Sequence, residues 1–205
     1  MDRTMTLAAE RGERGGFSLD ALVRQSGLLA MAAGFSIFLT PLMHPADPRS
    51  AVWVPVHLLY FATLVTILLV LVGIFVRQLP QAGRLNLAGF ITAFVGTSMM
   101  LLEGREHLFS PDFGQGTPLG LWQLIVASLV FSAGYVLLGI AMFRAGILPR
   151  DAGILLGGSG PIVAFAPPIG ILAVLIAGHT LFGAGLAWSG YALWTDTEHE
   201  QPPGA

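Results

Sequence analysis

The chain has 205 residues, of which 54% are hydrophobic and 11% are charged, and its formal net charge is −2. Soluble domains carry about 25% charged residues, so this composition excludes an ordinary soluble globular protein. The chain contains no cysteine and no lysine, which excludes disulfides, thiolate metal sites, lysine Schiff bases and Walker-type phosphate loops.

Long apolar stretches occupy most of the chain. A membrane-spanning helix needs about 20 mostly apolar residues, and five stretches meet this requirement clearly. A weaker sixth is interrupted by glycines and prolines, and we expect it to be a broken helix or a re-entrant segment. We favour six crossings over five crossings plus a re-entrant segment. The predicted spans are 25–43, 52–76, 85–103, 119–143, 152–169 and 171–194.

The arginines predict how the chain is oriented. With six crossings and an inner N-terminus, eight of the ten arginines lie on the cytoplasmic side, and only Arg49 and Arg105 lie outside. This distribution is typical of the positive-inside rule. Trp53 and Trp122 then fall at the outer interface and Trp194 at the inner one. The sequence therefore predicts an all-α polytopic transmembrane helix bundle with both termini in the cytoplasm.

The two ends of the chain differ from this bundle. Residues 1–17 and 195–205 show no apolar periodicity, so we expect disordered cytoplasmic tails on either side of one bundle domain at 18–194. Neither tail is basic enough to indicate nucleic-acid binding. The first span follows a long charged segment and precedes no cleavage site, so we expect an uncleaved anchor.

Small residues recur at four-residue spacing on several predicted helices. Such spacing lets helix backbones approach closely in lipid, either within one chain or between two copies. We expect packing within the chain, with a homo-oligomer or a membrane-complex partner as the open alternative beside the lipid bilayer itself. The residues concerned are Ala30 and Gly34, Gly89 with Ala93 and Thr97, Gly153 and Gly157, and Gly185 and Ser189.

Titratable side chains other than arginine gather at the predicted outer side. His57 lies about 7 Å and His179 about 12 Å below the outer ends of their helices, at a rise of 1.5 Å per residue. Ionisable residues at such depths usually face the bundle interior or a wet cavity. The predicted site consists of His57, Glu103, His107 and His179, with His44 at its lip.

Three chemistries suit such a site. A divalent metal such as zinc or copper(II) would take imidazole and carboxylate ligands from His57, Glu103, His107 and His179, with His44 at the lip of the site. Haem would be held by His57 and His179. Alternatively, partly buried Glu103 would hold a proton near neutral pH and act as a catalytic acid on a polyprenyl or terpenoid substrate, as an isomerase or cyclase does.

Structural roles compete with each of these assignments. His44 would be a solvated loop residue, His57 would bond a backbone carbonyl, and His179 would bond a neighbouring helix. Glu103 would belong to a solvated cluster with Arg105 and Glu106. The chain has no His-x-x-x-His pair. Three function classes thus stay open: a metal- or haem-binding accessory protein, an acid–base enzyme, and a scaffold subunit of a membrane complex.

Three patches of the chain resemble a broad family of small multi-pass bacterial membrane proteins that is catalogued as a domain of unknown function. The patches are LMHP at 42–45 with WVPVHL at 53–58, RAGILPR at 144–150, and GAGLAWSGYAL at 183–193. The resemblance implies a multi-pass topology in a bacterial inner membrane. It also implies an acidic residue near the end of the third helix, which Glu103 matches, whereas His107 departs from the family pattern.

Overall fold

The computed structural model describes residues 18–43, 50–109 and 118–196. All regular secondary structure in these residues is α-helix, arranged as six helices of which two are joined through a bend. The predicted tails lie outside the described residues, apart from Thr195 and Asp196 at the end of the last helix. The helices are α1 (Leu19–Met43), the bent helix Trp53–Phe109 with α2 before and α3 after Gly83, α4 (Pro118–Ala145), α5 (Arg150–Ile169) and α6 (Leu172–Asp196).

Five of the described helical stretches are long and apolar enough to cross a membrane. They coincide with the five strong predicted spans, so the protein is a multi-pass membrane protein whose apolar helices suit contact with lipid. The helix α5 is not among them. The five stretches are Leu19–Met43, Trp53–Gln81, Gly83–Gly104, Gly120–Ala145 and Leu172–Thr195.

The helix α5 is continuous, although its glycines and prolines predicted a break. It runs as one helix of 20 residues from Arg150 to Ile169 and includes Pro161. Neighbouring helices and side chains can satisfy the backbone groups that a proline frees, so proline is tolerated in membrane helices. The chain leaves the helix at Gly170, whose φ is 72° and whose N–H donates to the Ala166 carbonyl at 3.2 Å. The expected internal break is therefore wrong, and a left-handed glycine cap ends the helix instead.

The link between α2 and α3 is shorter than the predicted connection at 77–84. The chain stays helical through Arg77 and Gln78 and reverses at Gly83, with φ 52° and ψ −144°. Only glycine adopts this conformation without strain. The two helices therefore form a tight antiparallel hairpin that brings Gln78 inside the bundle.

Each helix packs against its neighbours in the chain, and α1 also packs against α6, which closes a ring. The small residues at four-residue spacing make these contacts, as expected for packing within one chain. A methyl group on Gly34 would collide with the Gly183 carbonyl oxygen, and one on Gly89 would lie 2.8 Å from the Leu138 nitrogen. Glycine is required at such positions because the helix backbones touch there.

Aromatic side chains fill the middle of the ring. Tyr135 on α4 and Phe182 on α6 are almost completely buried, and their rings meet edge to face at 4.8 Å between centroids. Phe131 packs against both rings, at 4.5 Å from Tyr135 and 5.8 Å from Phe182. This part of the bundle is a packed core.

Candidate functional site

The bundle has two chemically different ends. At the arginine end, where α1, α3 and α5 begin, lie all the described arginines whose side chains are placed: Arg24, Arg77, Arg84, Arg144 and Arg150. The other end, which we call the histidine end, is where α2, α4 and α6 begin. His57 and His179 lie in its half of the bundle.

His57 lies in the second turn of α2 and is only 6% exposed. Its Nδ1 lies 2.8 Å from the Trp53 carbonyl oxygen, one turn earlier on the same helix. The Trp53 and His57 rings are 4.0 Å apart between centroids. Trp53 is buried as well, so it is not the surface belt residue that the sequence indicated, whereas Trp122 is 65% exposed.

His179 repeats this arrangement on α6. It is also 6% exposed, and its Nδ1 lies 2.9 Å from the Leu175 carbonyl oxygen, again one turn earlier. The sequence suggested a hydrogen bond to a neighbouring helix, but the bond lies within the residue's own helix. For His57, the expected bond to a backbone carbonyl is confirmed.

These two hydrogen bonds determine the tautomer of each ring. A carbonyl oxygen only accepts, so Nδ1 must carry the proton that it donates. In a neutral imidazole, Nε2 then holds the lone pair. Metal-binding histidines are commonly oriented by such a bond from the second ring nitrogen to a backbone carbonyl.

Contacts along α1 show that the two histidines lie at similar heights. The bond between the Ser36 and Thr63 hydroxyls, at 2.5 Å, sets the register of α1 against α2 and makes His57 level with position 42. The contact of Gly27 with Gly190 sets the register of α1 against α6 and makes His179 level with position 38. The difference of four residues is about 6 Å along the helix axis.

Glu103 does not end the third helix, because α3 continues to Phe109. The side chain is half-buried, and its Oε1 is buried. The next residue, Gly104, faces the ring of Tyr60 on α2. A methyl group placed on Gly104 would lie 3.4 Å from two carbon atoms of that ring. Since successive helical residues differ by about 100°, the Glu103 side chain leaves α3 in another direction.

The other predicted ligands lie beyond what the structure describes. His44 is outside the described residues, and for His107 the helical backbone is described but the side chain is not. Continuation of α3 places positions 103 and 107 on one helix face, as expected. Among side chains in the described part of the chain, no group of three or more His, Cys, Asp or Glu residues could hold a metal ion.

Uncharged polar residues inside the bundle were missed by the sequence reasoning, which followed charged groups and histidines. The Tyr135 and Thr97 hydroxyls form a buried hydrogen bond of 3.1 Å between α4 and α3. The Tyr60 hydroxyl lies within electrostatic range of both the Glu103 carboxyl and Tyr135. Two tyrosines inside predicted spans were the available signal.

A shallow apolar cleft of about 140 Å³ lies where α5 meets α6. It is bounded by Ala166, Gly170, Ile171, Leu172 and Leu175. The Leu175 carbonyl is the group that accepts the His179 hydrogen bond. The cleft therefore lies about one helical turn from that imidazole, toward the histidine end.

Comparison with protein-family models, with curated proteins and with solved structures finds no match to this chain. The assignment of function therefore depends on the chemistry of the site itself.

Proposed function

We propose that the protein crosses the inner membrane of a bacterium six times, with both termini and the arginine end in the cytoplasm. The length of α5 supports a sixth crossing, because its 20 residues extend about 30 Å, the thickness of the hydrocarbon core. The shared location of the described arginines supports the orientation.

Single cysteines test this topology cleanly because the chain has none of its own. Ile147 lies in the turn before α5, and Ile171, which is 52% exposed, lies in the turn after it. A membrane-impermeant maleimide added to intact spheroplasts should label Ile171→Cys and leave Ile147→Cys unlabelled until the membrane is opened. Equal labelling of both variants would mean that α5 does not cross.

We further propose that the protein binds a transition-metal cofactor through the Nε2 atoms of His57 and His179, as a membrane binding or accessory protein. One observation supports this proposal: both buried imidazoles place Nδ1 at hydrogen-bond distance from a carbonyl of their own helix, the bond that commonly orients a histidine whose Nε2 binds a metal. The similar height of the two residues on α2 and α6 adds to it.

Haem is the form of cofactor that these residues favour. Haem iron is held by one or two axial side chains, whereas zinc and copper sites usually need three or four protein ligands. The described side chains supply no such group of three. A metal ion would therefore also require His44 and His107 together with Glu103.

Purified full-length protein, expressed with haem and metal supplementation, distinguishes these forms. Haem predicts a Soret absorption band that His57→Ala and His179→Ala each reduce at least tenfold, with His199→Ala as the matched control. An ion predicts bound metal by elemental analysis that His44→Ala and His107→Ala also remove. Protein with neither signal, or unchanged binding in the His57 and His179 variants, would contradict the proposal.

A second candidate function is acid catalysis by Glu103 on a lipid or terpenoid substrate. The buried Oε1 of Glu103 and the nearby Tyr60 hydroxyl favour it, because a carboxyl sheltered from water can deliver a proton to an apolar substrate. Glu103→Gln should abolish turnover while the protein still inserts and folds. Asp20→Asn, which alters an exposed carboxyl, should retain activity. Retained turnover in Glu103→Gln would exclude this role.

A further inference from the structure

A pair of buried amide side chains lies near the arginine end, far from the histidines. Gln78 is 0% exposed and Asn86 is 1% exposed. The stacked rings of Phe75 and Phe90, 4.5 Å apart between centroids, set the register of α2 against α3. The contact between Tyr60 and Gly104 gives the same register. In this register Gln78 and Asn86 lie level with each other, one turn from the phenylalanine pair.

The two amides use little of their hydrogen-bonding capacity. Asn86 Nδ2 donates to the Phe75 carbonyl at 3.2 Å, which anchors that side chain. Within the described residues, Gln78 Nε2, Gln78 Oε1 and Asn86 Oδ1 are buried and have no hydrogen-bond partner. Buried polar groups in folded proteins are nearly always bonded to protein or to ordered water. Three such atoms on two buried side chains at the same level therefore indicate a bound polar ligand.

The chemistry of these atoms limits what the ligand can be. It must both donate and accept hydrogen bonds, because the site offers one amide nitrogen and two carbonyl oxygens. A metal cation cannot accept a hydrogen bond from the amide nitrogen, and an anion without a proton cannot donate to the two oxygens. The ligand is therefore small and neutral.

We propose that Gln78 and Asn86 hold a buried water molecule that bridges α2 and α3 beside the bend at Gly83. Buried waters typically make about three hydrogen bonds to otherwise unsatisfied groups, which matches the three atoms here. The water then replaces a direct contact between the two helices and fixes the hairpin. This inference is independent of the proposed histidine site.

Thermal unfolding of the full-length protein in lipid nanodiscs distinguishes a hydrated site from a dry one. If water is bound, Gln78→Met removes the hydrogen bonds between residue 78 and the water, which then holds Asn86 less firmly. This variant should lower Tm by about 2–8 °C. If the site is dry, the same variant removes unsatisfied groups, and Tm should be unchanged or higher, which would overturn the proposal. Gln123→Met, which alters an exposed glutamine, should leave Tm unchanged.

Two further measurements test the bound water by other means, and the second uses only the wild-type protein, so it also applies if Gln78→Met fails to fold. In a double-mutant cycle with Asn86→Leu, a shared water predicts effects on Tm that are not additive, and additive effects would contradict it. In the wild-type protein, proton-detected solid-state NMR should show magnetisation transfer from water to the Gln78 side-chain amide. Because Gln78 has no contact with bulk solvent, transfer must come from a bound water, and its absence would overturn the proposal.

Discussion

Two serines one helical turn apart on α4 differ in their hydrogen bonding. The Ser128 hydroxyl donates to the Ala164 carbonyl of α5 at 3.1 Å. The Ser132 hydroxyl is also buried, but within the described part of the chain it has no hydrogen-bond partner. The same substitution at the two positions therefore isolates the contribution of a single hydrogen bond.

We predict opposite effects of alanine at these serines. Ser128→Ala should lower the free energy of unfolding by about 0.6 kcal/mol and by no more than about 1.7 kcal/mol, the average and the maximum measured for hydrogen bonds between membrane helices. Ser132→Ala should leave it unchanged or raise it, because it removes an unsatisfied buried group. Chemical unfolding in mixed micelles measures both values. A loss of stability in Ser132→Ala as large as that in Ser128→Ala would show that Ser132 has a partner after all.

At the residue scale, the sequence could indicate which side chains are buried but not what they contact. His57 and His179 could be predicted to lie inside because an ionisable group facing lipid is costly. The direction of Glu103 could not be predicted, because it depends on the rotation of α3 that packing against α2 and α4 sets. The predicted metal set with His44 and His107 stays a prediction, since those side chains lie outside the described residues.

At the scale of helices, glycines serve two distinct purposes that substitution can separate. On α1, a methyl group on Gly34 would collide with the Gly183 carbonyl oxygen of α6. On α5, a methyl group on Gly158 would meet nothing within 4 Å. Gly34 is therefore required for contact between helices, whereas Gly158 has no such role.

Alanine should be harmful at the first position and beneficial at the second. Gly34→Ala forces α1 and α6 apart and should destabilise the bundle by about 1–3 kcal/mol. Gly158→Ala should stabilise it by up to about 1 kcal/mol, because alanine loses less conformational entropy in a helix. Unfolding by sodium dodecyl sulfate would measure the difference. Equal effects would contradict the close approach of α1 and α6.

Substitution of Gly83 tests the backbone conformation alone, because an added methyl group would not collide with a neighbouring helix. A methyl group there would meet nothing within 4 Å, but the φ of 52° is unfavourable for any other residue. Gly83→Ala should therefore cost about 1–3 kcal/mol, measured under the same conditions. Stability equal to that of the wild type would mean that α2 and α3 are joined by a different turn.

Hydropathy predicted five of the helices well, but it missed where α2 ends and α3 begins, for a physical reason. Hydropathy reports contact with lipid, so the predicted spans stopped at 76 and restarted at 85, although the helical backbone extends further on both sides. Gln78 consequently fell in the predicted connection, whereas Asn86 fell in the first turn of the predicted span 85–103. The continuity of α5 could not be predicted either, because proline is tolerated there only through contacts with neighbouring helices.

At the scale of the whole molecule, contact between the first and last helices closes the ring. Ala30 on α1 lies against Gly190 on α6, with 2.8 Å from the Ala30 Cβ to a methyl group placed on Gly190. A side chain on Gly190 would collide with the backbone of α1, but Ala187 also lies on the side of α6 that faces α1, with 3.2 Å from its Cβ to a methyl group placed on Gly34. The register of the two helices makes Ala187 level with Ala30, and both residues already carry a Cβ atom. Because the chain lacks cysteine, a pair introduced at Ala30 and Ala187 would be the only pair present.

We predict that the double variant Ala30→Cys/Ala187→Cys forms an intramolecular disulfide on mild oxidation. Gel electrophoresis without reductant should then show a faster-migrating band that thiol reagents abolish. Ala30→Cys combined with Ile154→Cys, which is exposed on α5, is the matched control and should not cross-link. Failure of the first pair to react would mean that α1 and α6 are not neighbours.

The pairing of α1 with α6 also affects the order of events during biosynthesis. About 130 residues separate the end of α1 from the start of α6, and ribosomes add about 5–20 residues per second. The glycine-lined side of α1 must therefore wait roughly 6–26 s in the bilayer before its partner emerges from the translocon. During that interval α1 depends on lipid, on α2 or on an insertion chaperone to shield a surface that the finished protein keeps covered.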